Sequence, residues 1–302
     1  MRKWIKPAGM LAVAALAVAA CESVQQSISA PDRAQEGLGV PDLVGTPDLV
    51  VDAARLASSW VVMDEYLPAT LCSVLEGDVP PGNRRTLRFT VETPNIGDAD
   101  VAIGDPIRHI DPNGDGDYSD SDGLYILDGC HGHFHFQNYA RYELFPVGAN
   151  GQLGTAVKAR KRGFCMIDTT PFSNDNGQPR ERVYYNCGTP TSPGNQGISV
   201  GYSDTYVKAL AGQYFVLDDE REPVPPGNYI LRITVNPAFA PAAGQPCPVR
   251  DPATNLCHNF FEGSYTNNVG QISITIPPRT GKTGGAMKTA EDAIDDENRP
   301  TR

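Results

Sequence analysis

The sequence predicts a mainly β, loop-rich protein: a single antiparallel β-sandwich-like domain with little helix. Three observations predict it. The 302-residue chain carries 30 glycines and 26 prolines, a density of turn formers that interrupts long helices. Its middle contains no long apolar stretch of 3.6-residue period. Where apolar residues do recur, they alternate: Ile272, Ile274 and Ile276 are separated by Ser273 and Thr275, the pattern of a half-buried strand. With 40% hydrophobic residues, the chain can bury a core of its own.

Residues 1–20 stand outside that fold. Arg2, Lys3 and Lys6 form a basic start, and Ala8 to Ala20 is a run of small apolar residues too short to span a bilayer. The run ends in Val18-Ala19-Ala20-Cys21, which resembles a bacterial lipobox, in which cleavage precedes a Cys that is then acylated. Residues 1–20 are therefore expected to be a lipoprotein signal peptide, and residues 21–40, polar and small, the linker from a lipid anchor at Cys21. Glu22 is not an Asp that would retain the protein at an inner membrane. Export to the outer membrane or cell surface is the expected destination.

The domain proper runs over residues 41–277. It opens on an echo, Pro41-Asp42-Leu43-Val44 and Pro47-Asp48-Leu49-Val50, too short to be a repeat architecture. One helix is expected, over Asp52–Tyr66. Strands are expected at Arg85–Val91, Tyr125–Leu127, Phe134–Phe145, Tyr229–Val235 and Gln271–Ile276. Pro225-Pro226-Gly227-Asn228 is a turn leading into the fourth of these. Residues 278–302 lose apolar content to Lys, Thr, Gly, Asp and Glu, which predicts a disordered polar tail.

The formal charge is −11, and removing the three positive charges of Arg2, Lys3 and Lys6 takes it to −14. An acidic surface argues against nucleic acid as a partner and suits cationic amines. With Cys21 assigned to lipid, six cysteines remain: Cys72, Cys130, Cys165, Cys187, Cys247 and Cys257. An even set agrees with an oxidising compartment, but six cysteines allow about fifteen connectivities and spacing alone does not choose one.

The strongest local signal is Cys130-His131-Gly132-His133-Phe134-His135, which gathers three of the five histidines. Imidazole suits copper, zinc, nickel and iron, and three neutral nitrogens leave coordination positions open. Three His plus water fits zinc geometry equally well. Alternation puts the rings on one face of an extended segment. A flat strand would still part the first and third Cα by about 13 Å, so a shared ion requires a bend, for which Gly132 gives freedom. A second signal is Asp111-Pro112-Asn113-Gly114-Asp115-Gly116-Asp117-Tyr118-Ser119-Asp120-Ser121-Asp122. It fits a calcium loop with Asp111, Asn113, Asp115, Asp117 (by its carbonyl), Ser119 and Asp122 as ligands and Gly116 at the sharp turn. Asp122 stands where a bidentate Glu is usual.

Cys-His-x-His-x-His followed by Tyr139-x-x-Tyr142-x-Leu144 resembles the copper-binding segment of lysyl oxidases. Gly163-Phe164-Cys165-Met166-Ile167-Asp168-Thr169 resembles that family's "SFCLEDT", and Asp204-Thr205-Tyr206 its "DTY". The stretch from Pro226 to Pro237 is similar to "PGNYILKVSVNP". The matches are collinear from Pro47 to Asn268 and cover most of the domain.

The resemblance implies a domain of lysyl oxidase type with copper on His131, His133 and His135. It also implies an organic cofactor, lysine tyrosylquinone, made from Lys161 and Tyr206. In that chemistry copper and O₂ oxidise the Tyr206 ring to a quinone, to which the Lys161 amine adds. The product oxidises primary amines, with peptidyl lysine among the possible substrates, to aldehydes, releasing ammonia and hydrogen peroxide. Asp204 and Asp168 are the candidate bases by their sequence proximity to the cofactor positions. Nothing in the sequence holds Lys161 and Tyr206 together before their bond forms, so a metal-free protein can show them apart.

The resemblance also pairs Cys72 with Cys130 and Cys165 with Cys187, leaving Cys247 and Cys257 to close an insertion particular to this chain. It suggests a second calcium site from Asp48, the Leu49 carbonyl, Glu262, Asn267 and Asn268, in which Ser264 replaces a family acid. Tyr202 and Gly212 stand where the animal enzymes have cysteines, and Tyr214 where they have Trp. Two rival readings remain. A non-catalytic metal-binding cell-surface module would keep the fold without forming the quinone. A zinc hydrolase would need a base beside the histidines, and no His-Glu-x-x-His is present.

Overall fold

The computed structural model describes residues 45–161, 163–172, 181–241 and 246–279, and the backbone of 288–289. The signal peptide, Cys21 and the linker lie outside the described residues.

The protein is mainly β, and its strands are spread over several small antiparallel sheets with few helices. One four-stranded sheet runs in the order Val269–Ile276, Gly227–Val235, Ala140–Pro146, Val157–Lys158. Along its central strand Tyr229, Leu231 and Ile233 are buried while Ile230 and Arg232 are only partly so, and Ile274 and Ile276 are buried beside it. This is the alternation that the isoleucines announced.

A second sheet joins Tyr214–Val216, Gly82–Arg88 and Val61–Leu67. Its interior carries a buried ion pair. Arg88 donates to both Glu65 oxygens at 2.7 and 2.8 Å, a bidentate geometry that compensates for desolvation, and it lies over the Tyr214 ring at 4.5 Å. Tyr214 in turn bonds Ser73 of the short helix Cys72–Leu75, hydroxyl to hydroxyl at 2.8 Å.

Three expectations need correction. The helix expected over 52–66 is only Ala53–Ser58, with Asp52 capping it by accepting from the Arg55 N–H at 2.8 Å. Val61–Leu67 is a strand instead, because pairing with Gly82–Arg88 and the Glu65–Arg88 contact override local helix preference. The single strand expected over 134–145 is two, Phe134–Gln137 and Ala140–Pro146, parted by Asn138 at φ 55°. Arg85–Val91 likewise divides between Gly82–Arg88 and Val91–Pro94. The backbone of Lys288–Thr289 runs parallel to Glu65–Tyr66, Arg279 pairs with Asp64 at 2.7 Å, and the rest of the expected tail beyond residue 279 lies outside the described residues.

All three expected disulfides are present, with Cα–Cα separations of 5.7 Å for Cys72–Cys130 and 5.4 Å for both Cys165–Cys187 and Cys247–Cys257. The first ties the Cys72–Leu75 helix to the residue next to His131.

Candidate functional site

The histidine segment forms the turn of a hairpin. Tyr125–Leu127 and Phe134–Gln137 pair antiparallel, with Ile126 opposite His135. Between them the Asp128 N–H donates to the His133 carbonyl at 3.0 Å, and the Gly132 N–H to the Asp128 carbonyl at 2.8 Å. Gly132 takes φ 73°, a left-handed conformation that glycine adopts without steric cost. The bend required for three rings to meet is thus present, and it sits at Gly132.

The rings do meet. Their centroids lie 5.6 Å (His131–His133), 5.2 Å (His131–His135) and 4.8 Å (His133–His135) apart. Nε2 of His133 faces Nε2 of His135 at 3.0 Å, and both residues are 5% exposed. Nitrogens bound to one ion at about 2.0–2.1 Å with that separation would subtend roughly a right angle, so this pair fits a single first-row metal ion. His133 and His135 are buried and His131 is partly so, and imidazoles are donors of the kind copper and zinc accept.

Asp128 organises the group. Its Oδ1 accepts from the backbone N–H of Cys130 at 2.8 Å and of His131 at 2.9 Å. Its Oδ2 accepts from Nδ1 of His131 at 3.0 Å and lies 3.1 Å from Nδ1 of His135. Burial alone would raise the Asp128 pKa, but the hydrogen bonds from His131 and Cys130 and the charge of His135 bring it down to about 2. A Glu76 oxygen also lies within 4.8 Å of a His131 ring nitrogen, and Glu76 shares a side-chain hydrogen bond with Asp128.

The same hairpin leads to the expected cofactor pair. Phe136 and Gln137 pair with Phe164 and Gly163, so the strand after His135 lies against the segment that follows Lys161. Gly163 has no room for a side chain, since a Cβ there would come within 2.0 Å of the His135 Nδ1. Lys161 turns its Nζ over two rings, 4.9 Å from the centroid of Tyr206 and 5.1 Å from that of Phe164. Tyr206 is 3% exposed and donates its hydroxyl hydrogen to the Cys165 carbonyl at 2.8 Å. Lys161 and Tyr206 therefore lie together. The sequence allowed them to be apart, but the Cys165 carbonyl and the Phe164 face supply the restraint that was not foreseen.

A family model for lysyl oxidase matches residues 69–245, more than half of the chain. The chain belongs to the lysyl oxidase family. Its similar proteins include lysyl oxidase homolog 3B of Danio rerio, 30% identical over 202 residues that make up 64% of this chain and 21% of that protein. Lysyl oxidase homolog 4 of Bos taurus is 30% identical over 213 residues, 67% of this chain and 24% of the relative. Lysyl oxidase homolog 2 of Homo sapiens is 27% identical over 264 residues, 82% of this chain and 29% of the relative. The chain thus spans less than a third of the length of these curated relatives.

The two base candidates of this lysyl oxidase family member differ. Asp168 accepts four hydrogen bonds, from the N–H groups of Val183 (3.0 Å), Tyr184 (3.1 Å) and Ser199 (2.8 Å) and from the Ser199 hydroxyl (2.6 Å). Three of these go to Oδ2 and one to Oδ1, which makes Asp168 a bracket for the chain around Cys165–Cys187. Asp204 sits two residues from Tyr206 on the strand Tyr202–Tyr206. Strand period 2 therefore puts its carboxylate on the face that carries the Tyr206 ring.

The two calcium candidates also part company. In the loop 111–122 the carboxylates cap their own backbone: Asp111 accepts from the N–H of Asp115 and Gly116 at 3.0 and 2.9 Å, and Asp115 from that of Asp117 at 2.8 Å. Asn113 and Asp117 do likewise, towards Asp115 at 2.9 Å and Ser119 at 3.0 Å. Asp122, the expected last ligand, has its Oδ2 2.7 Å from Nδ1 of His109. Among the described residues no three acids of this loop bring their oxygens within 4.8 Å of one another. The second set does assemble. Asn267 donates to both Asp48 oxygens at 2.9 and 3.0 Å, and Glu262 accepts from the Leu49 N–H at 2.8 Å and from Asn268 at 2.7 Å. The side-chain oxygens of Asn267 and Asn268 are buried and accept no hydrogen bond. Burial raises the Glu262 pKa to about 7, against hydrogen bonds from Asn236, Leu49 and Asn268.

Sequence reasoning missed Asp128 and the space at Gly163. A carboxylate three residues before His131 was the available signal for the first. Nothing local could reveal the second, because the ring that fills that space comes from a different strand.

Proposed function

We propose that this chain is a copper- and quinone-dependent amine oxidase, converting R–CH₂–NH₂, O₂ and water into R–CHO, ammonia and hydrogen peroxide. The observation that carries this reading is the Lys161 amine 4.9 Å from the Tyr206 ring centroid, one strand away from three convergent imidazoles. His131, His133 and His135 would hold copper. When present, the metal and the quinone supply a redox centre for O₂ and an electrophilic electron sink.

The chain's own residues have distinct tasks. The Cys165 carbonyl fixes the Tyr206 hydroxyl, which limits how the ring can turn, while Phe164 and Tyr206 keep the Lys161 amine near that ring. Asp204 is our candidate for taking a proton from the carbon next to the substrate nitrogen. The acidic surface favours cationic amines, with peptidyl lysine as one candidate class. Asp48, the Leu49 carbonyl, Glu262, Asn267 and Asn268 would hold a structural calcium, supported by the two asparagine oxygens that accept no hydrogen bond. We place the domain outside the cytoplasm, anchored through an acylated Cys21. Three disulfides support an oxidising compartment.

Peroxide release from a primary amine by the copper-loaded protein, together with labelling by a hydrazine, tests the proposal. Tyr206→Phe and Lys161→Arg are expected to bind copper like wild type and to lose both signals. Arg keeps the charge, but its guanidinium is a poor nucleophile. Hydrazine labelling of Tyr206→Phe at wild-type yield would overturn the assignment of the quinone. A copper-loaded wild type that never labels would favour the non-catalytic module.

A further inference from the structure

We infer that Asp128 is a positioning residue that selects the tautomers of two of the three candidate metal ligands. The inference rests on the reading of His131, His133 and His135 as a metal site. A single oxygen, Oδ2, lies 3.0 Å from Nδ1 of His131 and 3.1 Å from Nδ1 of His135. A carboxylate oxygen only accepts, so each ring presents Nδ1–H to it and leaves Nε2 as the lone-pair nitrogen. In His135 that Nε2 faces the Nε2 of His133 at 3.0 Å. Asp128 therefore turns the His135 lone pair away from itself and toward the Nε2 of His133, and leaves Nε2 as the lone-pair nitrogen of His131.

The position of the carboxylate is itself over-determined. Oδ1 caps the Cys130 and His131 N–H groups, and Cys130 is bonded to Cys72. His135 also rests on Gly163, where even a methyl group would collide with Nδ1. The Gly163 backbone and Asp128 thus both restrict the ring. Outer partners of this kind set ligand orientation and basicity, and their loss typically costs about 10- to 100-fold in metal affinity.

Asp128→Asn separates this role from a merely structural one. Asn keeps an oxygen for the Cys130 and His131 N–H groups, so the turn can persist, but it replaces Oδ2 by an NH₂ donor. Facing a donor, a ring must move its proton to Nε2 or lose the contact, and either change removes a metal-directed lone pair. Two readouts are used on the full chain. Nitrogen-15 NMR of the metal-free wild type is expected to report Nδ1–H for His131 and His135. Copper(II) titration, with competition by a chelator, is expected to show about 10- to 100-fold weaker binding for Asp128→Asn, with altered electron paramagnetic resonance parameters of the bound ion. Nε2–H tautomers at His131 and His135 in the wild type would overturn the inference, even if the variant did not fold. So would a folded Asp128→Asn that binds copper with wild-type affinity and spectrum. Failure of the wild type to bind any copper would instead refute the metal-site reading beneath it.

Discussion

Residues 128–135 and residues 111–122 are both short and crowded with potential metal ligands, yet they fold in contrasting ways. In the hairpin, His133 and His135 are buried, the rings converge, and a carboxylate lies behind two of them. In the acidic loop the side chains are largely exposed and turn back on their own N–H groups, while Asp122 is taken by His109. The difference is in what lies outside each segment. The hairpin is clamped by Cys72 through a disulfide and by Gly163 through a paired strand. The loop has neither, and mutually repelling carboxylates with free backbone donors nearby cap those donors. The two segments differ in the restraint that distant parts of the chain place on them.

The largest effect expected from this contrast is on metal affinity. His133→Ala should weaken copper binding by more than about 100-fold, beyond the loss of an outer partner, with the fold retained. Asp115→Asn should leave copper binding unchanged. Calorimetric titration of the two variants checks both; equal losses would erase the distinction between the regions.

Next come the clamps. Removing Cys72–Cys130, which closes a 58-residue separation, should cost about 4 kcal/mol on the chain-entropy model, against about 3 kcal/mol for the 10-residue Cys247–Cys257 closure. Denaturant unfolding measures each, and only the first loss should also weaken copper binding. Gly163→Ala should cost about 1–3 kcal/mol through overpacking against His135 and reduce copper affinity. Gly116→Ala has open space around its Cβ but φ 81°. It should cost about 1 kcal/mol through backbone strain and leave copper affinity alone.

The smallest effect is acid dependence. Asp128 has a folded pKa lowered to about 2, so its stabilisation is fully present above the unfolded value near 4 and is lost as pH falls toward 2. Metal-free wild type should therefore lose about 1–2 kcal/mol across that window, a loss absent from Asp128→Asn. Unfolding curves at a series of acid pH values measure it, and identical slopes would contradict the role given to Asp128.

Much of this was legible in the sequence. The isoleucine alternation gave the strand Val269–Ile276, and the Cys-His-x-His-x-His spacing, with its geometric need for a bend, located the hairpin turn at Gly132. The resemblance supplied two cysteine pairings and the insertion a third. What escaped has one physical character: it depends on contacts across the fold. The Asp52–Tyr66 pattern reads as helix until Glu65 meets Arg88 from a neighbouring strand. Asp168 and Asp204 look alike as carboxylates near cofactor positions, and the four donors around Asp168 come from residues 15 to 31 positions away in the chain. The acidic loop carries a calcium pattern residue by residue, and the contact of Asp122 with His109 across the intervening turn is not visible in that pattern.

The account stands most directly on the covalent pair. Copper-loaded wild type, digested and read by mass spectrometry, should yield one species joining the Lys161 and Tyr206 peptides through the lysine nitrogen. That species should have gained one oxygen and lost four hydrogens relative to the two peptides. It should be absent from protein kept free of copper and from His133→Ala. Unmodified Lys161 and Tyr206 peptides at full yield, from protein shown to carry stoichiometric copper and exposed to O₂, would contradict the account.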